Sequence, residues 1–383
     1  MDTRAALNML LDPDFLGRLY GRPAQVGKLR IKPEVALIAS IRSKGGQELG
    51  WLRLLWPVSH SKATKAARRA AHYGQSTAIT ELPGGLLCDR GQVNADPALI
   101  SHLWQAGEAL FAPETDQVLR YNPLRRLVAR SGPAVVRVQA GGSVVDPTLQ
   151  RVLAAAVPTP PLRAHKWAGG NEQGPHVSVV QYLADHDLAA VTRTAPGSPE
   201  VLALHQRAGQ LLAALHAATG QLGAQSAAAL AGHARGGQQA GAAHAQILAH
   251  LDAPLAERMG KVAGHRHLEL HGQPVLSHGD ASPDQVLVEQ GGGRLWLTDF
   301  DRVCLAPAAK DIGSYLAECP SGAGEHFLAG YGAAGMPLPS QQQVRAATAA
   351  SLLERAAEPL RTGRANWAAE IHQRLDRIEE VLK

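Results

Sequence analysis

Hydrophobic residues in the first third of the chain fall into short runs that are separated by turn-forming residues. Residues 35–39 and 51–56 are two such runs, and the polar segment 43–47 between them contains two adjacent glycines. Short apolar runs bounded by Gly and polar clusters are typical of β-strands joined in hairpins. A second hairpin unit is predicted further along the chain. Residues 119–123 resemble residues 29–33, and each of these two segments precedes an apolar run and a turn. The pattern therefore predicts two β-hairpin units near the start of the chain.

Elsewhere the spacing of apolar residues changes to the helical period. A helix capped by Ser59 or Ser61 is predicted to run through Ala71 and to stop at Gly74. Further helices are expected where apolar residues recur every three or four positions, at residues 147–156, 202–218, 341–361 and 367–382. A strand-like apolar run separates the first two of these at residues 177–183. Strands come first and helices later, so the expected fold class is α+β.

Composition and charge narrow the classes of function. With 383 residues and 45% hydrophobic content, the chain has material for two or three packed units. The net charge of +5 is spread along the sequence, so nucleic-acid binding is not expected. No window approaches the length of a transmembrane span and the first residues do not form a signal peptide, so no membrane partner is expected. Three cysteines without metal or redox spacing (Cys88, Cys304 and Cys319) indicate reduced thiols and a cytoplasmic location.

Polar residues able to perform chemistry concentrate between residues 275 and 301. A polar loop is followed by two short apolar runs, 286–288 and 295–298, which are separated by a triple-glycine turn at 291–293. These features predict a hairpin. Since a hairpin brings its ends together, Gln285 and Asp299 are predicted to lie near one another. Converging carboxylate and amide oxygens make a site suited to Mg²⁺.

This segment resembles the aminoglycoside phosphotransferase/choline kinase family, which is related to the protein kinases. The resemblance is carried by the sequence His-Gly-Asp that ends at Asp280, by Gln285 after four intervening residues, and by Asp-Phe-Asp beginning at Asp299. It implies that Asp280 is the catalytic base for the substrate hydroxyl and that His278 braces the loop by hydrogen bonding. It also implies that Gln285 and Asp299 bind Mg²⁺, with Asp299 bridging the metal to the phosphates of ATP.

Other segments resemble the same family. Asp311, in Lys-Asp-Ile-Gly, matches an aspartate that anchors the loop region, and His216 ends a helix that resembles a packing element of the family. The apolar run before the helical half lies where the family's hinge strand contacts adenine. The residues that the resemblance assigns to nucleotide binding are Val180, Tyr182, Leu183 and Leu287, together with Arg137.

The sequence departs from the family's pattern around the phosphates. Arg137 stands where the family uses a lysine, and no glutamate occurs in residues 139–160, where Asp146 is the available acidic residue. Arginine binds phosphate through a planar fork, unlike the compact ammonium of lysine. No Gly-rich phosphate loop is present, and Gln285 replaces the usual asparagine, so Asp284 is an alternative metal ligand.

The fold implied by the resemblance is bilobal and protein-kinase-like. Residues 1–105 are predicted to form an N-terminal cap or extension. Residues 106–183 are predicted to form a β-rich nucleotide-binding lobe that ends in the hinge, and residues 184–383 a helical lobe with the catalytic loop and the acceptor site. The chain is expected to act as a monomer or a weak dimer.

The implied function is ATP-dependent and Mg²⁺-dependent transfer of the γ-phosphoryl group to a hydroxyl of a small molecule: a sugar, a sugar-like compound or an antibiotic. The stretch 219–249, predicted to be a mobile helical insertion or a pair of loops, lies where the family shapes its acceptor pocket and contains no Asp or Glu. A polycationic aminoglycoside needs acidic partners, so a neutral hydroxyl compound is favoured. Glu354, Glu358 and Asp376 remain alternative acidic contributors.

Two other functions remain open at this point. Arg137, Gln285 and the missing glutamate are compatible with a nucleotide-binding pseudokinase that has a regulatory role. The second alternative is a metal-dependent phosphohydrolase that uses His278, Asp280, Asp299 and Asp301.

Overall fold

The computed structural model describes residues 1–105, 108–143, 145–163, 176–184, 186–231, 236–289, 293–320 and 322–383. Two short helices come first, α1 (Thr3–Leu11) and α2 (Pro13–Tyr20). Both have an aspartate cap: Asp2 accepts a hydrogen bond from the Ala5 amide at 2.7 Å, and Asp12 accepts one from the Asp14 amide at 2.9 Å. Because a capping oxygen satisfies an amide that the helix leaves free, these two aspartates fix where the helices start.

A five-stranded antiparallel sheet follows the two helices. Its strands are β1 (Ala24–Lys32), β2 (Ala36–Ser43), β3 (Glu48–Leu55), β4 (Thr77–Leu82) and β5 (Leu86–Gly91), in the spatial order β1-β2-β3-β5-β4. Helix α3 (Ser61–His72) connects β3 to β4, and the chain reverses after it at Gly74, which has a positive φ. A buried ion pair links β3 to β5, since Arg53 Nε donates to Asp89 Oδ1 at 2.8 Å.

A four-stranded antiparallel sheet forms the second β-unit. Helix α4 (Ile100–Leu103) and the short pair β6 (Trp104–Gln105) and β7 (Glu108–Ala109) lead into it. Its strands are β8 (Gln117–Asn122), β9 (Arg126–Ser131), β10 (Ala134–Gln139) and β11 (Val177–Gln181), in the order β11-β10-β9-β8. Helix α5 (Pro147–Ala156) lies between β10 and β11 in sequence, and Asp146 caps it by accepting from the Leu149 amide at 2.7 Å. Asp146 is therefore used as a helix cap.

The remainder of the described chain is mainly helical. Its helices are α6 (Leu188–Thr194), α7 (Pro199–Ala217), α8 (Ala224–Ala231), α9 (Gly237–Leu248), α10 (Ala253–Ala263), α11 (Ala309–Glu318), α12 (Ala323–Ala333), α13 (Gln341–Glu354), α14 (Glu358–Arg361) and α15 (Trp367–Val381). Its short strands are β12 (His186–Asp187), β13 (Pro274–Ser277), β14 (Val286–Val288), β15 (Leu295–Leu297) and β16 (Cys304–Pro307). They form the sheets β12-β14-β15 and β13-β16. Residues 291 and 292 of the predicted glycine turn and residues 232–235 of the predicted insertion lie outside the described residues.

The largest group of buried apolar side chains joins the first elements of the chain to the last ones. It includes Leu7 of α1, Leu37 of β2, Leu54 of β3, Leu353 of α13 and Ile371 of α15. We call this group the shared core. Two further cores lie inside the four-stranded sheet and around α7, α11 and α12.

The α+β class predicted from the sequence is confirmed. A β-rich N-terminal part precedes a helical C-terminal part. None of the helices in the described part of the chain combines the length and apolar character needed to span a bilayer.

Candidate active site

The loop that carries Asp280 follows β13 and is held by the buried carboxylate of Asp311, in the first turn of α11. Asp311 Oδ2 accepts from the backbone amide of His278 at 2.6 Å, and Oδ1 accepts from the amide of Gly279 at 2.8 Å. Gly279 has a φ of 80°, and a Cβ at this position would lie 1.9 Å from the carbonyl oxygen of Arg302. Glycine is therefore required here, because a side chain would clash with that carbonyl oxygen and would strain the backbone at a positive φ.

Asp311 also contacts a buried histidine. His216 Nε2 lies 3.1 Å from Asp311 Oδ2, and the other ring nitrogen of His216 lies 2.8 Å from the hydroxyl of Tyr331. Burial raises the pKa of Asp311. The hydrogen bond and the charge of His216, with smaller contributions from His278 and the Gly279 amide, lower the pKa by more than burial raises it, so the pKa lies below its ordinary value. The carboxylate of Asp311 is therefore charged, and several hydrogen-bond donors together stabilise its charged form.

His278 links the Asp280 loop to the segment that precedes Asp299. Its Nε2 donates to the carbonyl oxygen of Thr298 at 2.7 Å, and its ring lies against Phe300 with the two centroids 5.0 Å apart. Its Nδ1 is buried without a hydrogen-bond partner among the described residues. These contacts give His278 a position from which it fixes the loop, and they place its ring away from solvent.

Gln285 and Asp299 lie at the same end of the hairpin formed by β14 and β15. The ladder pairs Val286 with Leu297, and the Thr298 amide donates to the Gln285 carbonyl at 3.0 Å, directly before Asp299. Gln285 is buried, whereas Asp284 is exposed and accepts a hydrogen bond from Ser282.

Asp299 has a left-handed backbone conformation, with φ 63°. This conformation is costly for a residue with a side chain and occurs often at functional sites. It turns the carboxylate of Asp299 towards the four-stranded sheet, where three arginines lie.

Three arginines from neighbouring strands surround Asp299 and Asp301. Arg120 Nη1 of β8 lies 3.2 Å from Asp299 Oδ2, and Arg126 Nη1 of β9 and Arg137 Nη2 of β10 each lie 2.9 Å from Asp299 Oδ1. Arg126 and Arg137 also pair with Asp301. We call these three side chains the arginine cluster. Burial raises the pKa of Asp299, but the arginine cluster lowers it by more, so that its pKa falls well below the ordinary range.

Two other arginines contact Asp280. Arg355 Nη2, directly after α13, lies 2.6 Å from Asp280 Oδ1, and Arg302 Nη1 lies 3.4 Å from Oδ2. Arg355 is itself held by α11, because its Nη2 donates to the Ser314 hydroxyl at 3.1 Å. The Asp280 side chain is 30% exposed, so it is accessible to a small molecule while its orientation is fixed by two cations.

The predicted nucleotide-binding residues lie on β10, β11 and β14 and in the connection after β11. Val180 belongs to β11 and pairs with Val135 of β10, while the Tyr182 amide donates to the Pro133 carbonyl at 3.0 Å. The guanidinium of Arg130 lies over the Tyr182 ring, 3.8 Å from its centroid. Leu183 follows in the connection towards the helical part, and Leu287 lies in β14 on the other side of this connection. The structure thus places these residues on both sides of the junction between the two parts.

The donor set at the hairpin end fits Mg²⁺. Asp299 provides a carboxylate that remains charged, and Gln285 is buried at the same end of the hairpin. Mg²⁺ prefers one or two carboxylates completed by phosphate oxygens. Among the residues that the structure describes, no three His, Cys, Asp or Glu side chains are grouped as a metal site. A fit to Mg²⁺ therefore needs the phosphate oxygens of a nucleotide, and the set His278, Asp280, Asp299 and Asp301 is not assembled as a metal centre.

Four arginines that contact the two carboxylates were not predicted from the sequence: Arg120, Arg126, Arg302 and Arg355. Arginine is abundant along the whole chain, so no single arginine stands out. One signal was available, because Arg126 and Arg137 lie on adjacent strands of a predicted hairpin. The contact of Arg355 with Asp280 joins residues 75 positions apart and has no local signal.

Comparison with known families decides the assignment. A model of the phosphotransferase enzyme family matches residues 113–348, which is more than half of the chain and includes Asp280, Asp299 and Asp311. The chain belongs to the phosphotransferase enzyme family. This confirms the family that the sequence resembles, and it makes the chain a small-molecule phosphotransferase. No curated protein matches the chain significantly.

Several solved structures are similar to the chain. A choline/ethanolamine kinase family protein from Mesorhizobium loti has 18% sequence identity and a TM-score of 0.48, covering 70% of this chain and 88% of that one. A GDP complex of an aminoglycoside 2'-phosphotransferase has 17% identity and a TM-score of 0.47, covering 69% and 92%. A macrolide 2'-phosphotransferase from Brachybacterium faecium has 21% identity and a TM-score of 0.41, covering 69% and 92%.

Proposed function

We propose that this protein transfers the γ-phosphoryl group of ATP to a hydroxyl of a small, sugar-like molecule. The observation that carries the proposal is the loop of Asp280, which is fixed by Asp311 through two backbone hydrogen bonds of 2.6 and 2.8 Å. The loop is tied through His278 to the segment before Asp299. Two carboxylates on two fixed segments meet the geometric demand of phosphoryl transfer, which depends mainly on positioning and electrostatic stabilisation.

Asp280 acts on the acceptor in this proposal. The acceptor hydroxyl oxygen forms a bond to the γ-phosphorus, the bond between that phosphorus and the bridging oxygen of ADP breaks, and the hydroxyl proton passes to Asp280. Arg355 holds the Asp280 carboxylate at 2.6 Å, so the carboxylate has one orientation before the acceptor arrives. Asp299 and Gln285 hold Mg²⁺, which offsets negative charge on the phosphates when it is bound.

The arginine cluster takes the place of the missing lysine. Arg137 lies on β10 of the four-stranded sheet, and its Nη2 lies 2.9 Å from Asp299 Oδ1. Asp146 caps α5 and so does not act as its acidic partner. One guanidinium group can donate two parallel hydrogen bonds to the oxygens of a phosphate. Arg120 and Arg126 place two further guanidinium groups beside the carboxylate of Asp299. We propose that these arginines bind the β- and γ-phosphates, while Val180, Tyr182, Leu183 and Leu287 contact the base and the ribose.

The experiment measures ADP formation from ATP and Mg²⁺ with a panel of sugars, polyols, amino alcohols and antibiotics. Asp280→Asn is expected to lower kcat by about a hundredfold or more, because a positioned base contributes about 10²–10⁴ to the rate, and to leave nucleotide affinity within a factor of about three. Asp252→Asn is the matched control, since Asp252 caps α10 and Asn caps helices as well as Asp does. Equal turnover of wild type and Asp280→Asn would refute the role of Asp280.

A nucleotide-binding pseudokinase is the second candidate, and the ion pairs favour it. Both carboxylates needed for transfer are paired with arginines, Asp280 with Arg355 and Asp299 with the arginine cluster. This candidate predicts tight ATP binding and no ADP formation with any acceptor. ATP binding that is indifferent to Asp280→Asn is expected from both candidates, so turnover is the measurement that separates them.

A further inference from the structure

A cavity of about 380 Å³ lies beside the Asp280 loop, where three parts of the chain meet. Its walls are formed by β1 of the five-stranded sheet, by the turn between β8 and β9, and by α9 with the region of α13 and α14. Most small-molecule sites are concave and lie at junctions between structural units. The cavity has the size of a monosaccharide or a disaccharide site.

The cavity is basic. Its ionisable lining consists of one carboxylate, Glu354, one histidine, His244, and five cationic side chains, which are Lys28, Arg30, Arg125, Arg302 and Arg361. The Lys28 ammonium pairs with Glu358, and Arg361 Nη1 lies 3.9 Å from the same carboxylate. With Glu358 and the neighbouring carboxylates Asp280 and Asp96 included, five cations face four carboxylates.

Arg30 has an incompletely satisfied guanidinium. Its Nε is buried and has no hydrogen-bond partner among the described residues. Burial, with a smaller effect of Arg125, lowers the pKa of Arg30 to about 10 against the opposing effect of Asp96. Burying an N–H group without an acceptor costs folding free energy, and burying a cation close to another cation costs more. A bound anion would reduce both costs.

The cavity is connected to the reacting loop through Arg302. This side chain lines the cavity, and its Nη1 lies 3.4 Å from Asp280 Oδ2 and 3.8 Å from Glu354 Oε2. A molecule that fills the cavity and reaches Arg302 therefore comes within one side-chain length of Asp280. Asn122 and Gln239 also line the cavity and offer neutral hydrogen-bonding groups for hydroxyls.

We propose that this cavity binds the acceptor and selects an anionic one, a hydroxyl compound that also carries a phosphate or a carboxylate, such as a sugar phosphate or a sugar acid. This inference rests on the proposed function and deepens it. Arg30 and Arg125 bind the anionic group at the far wall, and the hydroxyl lies towards Arg302 and Asp280. The same charges exclude polycationic aminoglycosides, since like charges in a confined site repel.

Binding is tested without nucleotide, so that the result does not depend on turnover. Glucose, gluconate and glucose 6-phosphate are titrated separately into the full chain by calorimetry. We expect the two anions to bind at least about tenfold more tightly than glucose, because a hydrogen bond to a charged group contributes about one to two decades of affinity. Whichever of the two binds more tightly identifies the anionic group as carboxylate or phosphate.

Arg30→Gln and Arg125→Gln are expected to weaken binding of the tighter anion by about tenfold or more and to leave glucose unchanged. Lys44→Gln is the matched control, because Lys44 is an exposed cation in the turn after β2 and does not line the cavity. Circular dichroism establishes that each variant is folded, and either arginine variant alone suffices if the other fails to fold.

The two proposals fail in different ways. If glucose binds as well as the anions, or if neither arginine variant changes anion binding, the anionic acceptor is wrong, whether or not ATP is turned over. If the anions bind through Arg30 but no acceptor supports ADP formation, the anion site is supported and the kinase proposal is wrong.

Discussion

Asp311→Asn tests the anchor of the Asp280 loop most directly. The substitution keeps the size of the side chain, removes its charge and replaces one oxygen by an NH₂ group. In the wild type, the two oxygens accept from the amides of His278 and Gly279 and contact His216 Nε2. One of the two backbone N–H groups would then face an N–H instead of an oxygen. The change mimics a permanently protonated aspartate.

The magnitude follows from the number of contacts. Each hydrogen bond to a charged group is worth about 1.5–3 kcal/mol net, and a buried donor left without an acceptor adds about 1–3 kcal/mol. We therefore expect Asp311→Asn to lower the free energy of unfolding by about 3–5 kcal/mol. Because misplacing a reacting group by about 1 Å costs about a hundredfold in rate, kcat should also fall by that order.

Urea denaturation and ADP formation check the two effects separately. Asp252→Asn is again the control, since its carboxylate only caps α10, and it should change the unfolding free energy by less than about 0.5 kcal/mol. A double-mutant cycle with His216→Gln should show coupling, because the two side chains share one network. If Asp311→Asn unfolds at the same urea concentration as wild type, the buried carboxylate does not hold the loop and the reasoning is wrong.

Two further predictions concern the same lobe. Gly279→Ala should destabilise the protein by at least about 3 kcal/mol, because the new Cβ would lie 1.9 Å from the Arg302 carbonyl oxygen. Gly132→Ala is the control: Gly132 has a positive φ but open space around it, so this change should cost about 1–2 kcal/mol. Equal melting temperatures for the two variants would contradict this prediction. Burial, with a smaller effect of His326, lowers the pKa of His205 from 6.5 to about 4. Between these two pH values the unfolded chain binds a proton at His205 that the folded chain does not bind. The contribution of His205 to the free energy of unfolding should therefore fall by about 3 kcal/mol from pH 6.5 to pH 4 and then level off. Denaturation of wild type and His205→Gln across this range checks it, and a variant with the same pH slope as wild type would exclude His205 as the cause.

Local patterns in the sequence predicted several of the strands and helices. The runs at 35–39 and 51–56 match β2 and β3 to within one residue at one end, and the predicted helix at 147–156 coincides with α5. The predicted cap of α3 by Ser59 or Ser61 is wrong, because His60 precedes the helix and no side chain caps it. The successful predictions rest on periodicity and turns, which act over a few residues. The family resemblance rested on a short segment in the same way, since its spacing reflects one hairpin.

Contacts between distant segments could not be predicted. Asp96 illustrates this, because its buried carboxylate accepts from the Tyr121 hydroxyl at 2.7 Å and from the Leu124 amide at 2.8 Å, and so fixes the turn between β8 and β9. Nothing near Asp96 in the sequence indicates that turn. Arg355 reaches Asp280 for the same kind of reason, since only the packing of α13 against α11 brings them together.

The shared core has a consequence for the order in which the protein is completed during synthesis. Leu7 and Ile371 belong to one buried cluster although 364 positions of the chain separate them. Until α13 and α15 have been synthesised, α1 and the five-stranded sheet lack the apolar side chains that these helices contribute, and part of their buried surface stays open to solvent or to a chaperone. A ribosome stalled before α15 would therefore carry a chain whose five-stranded sheet still exposes apolar surface.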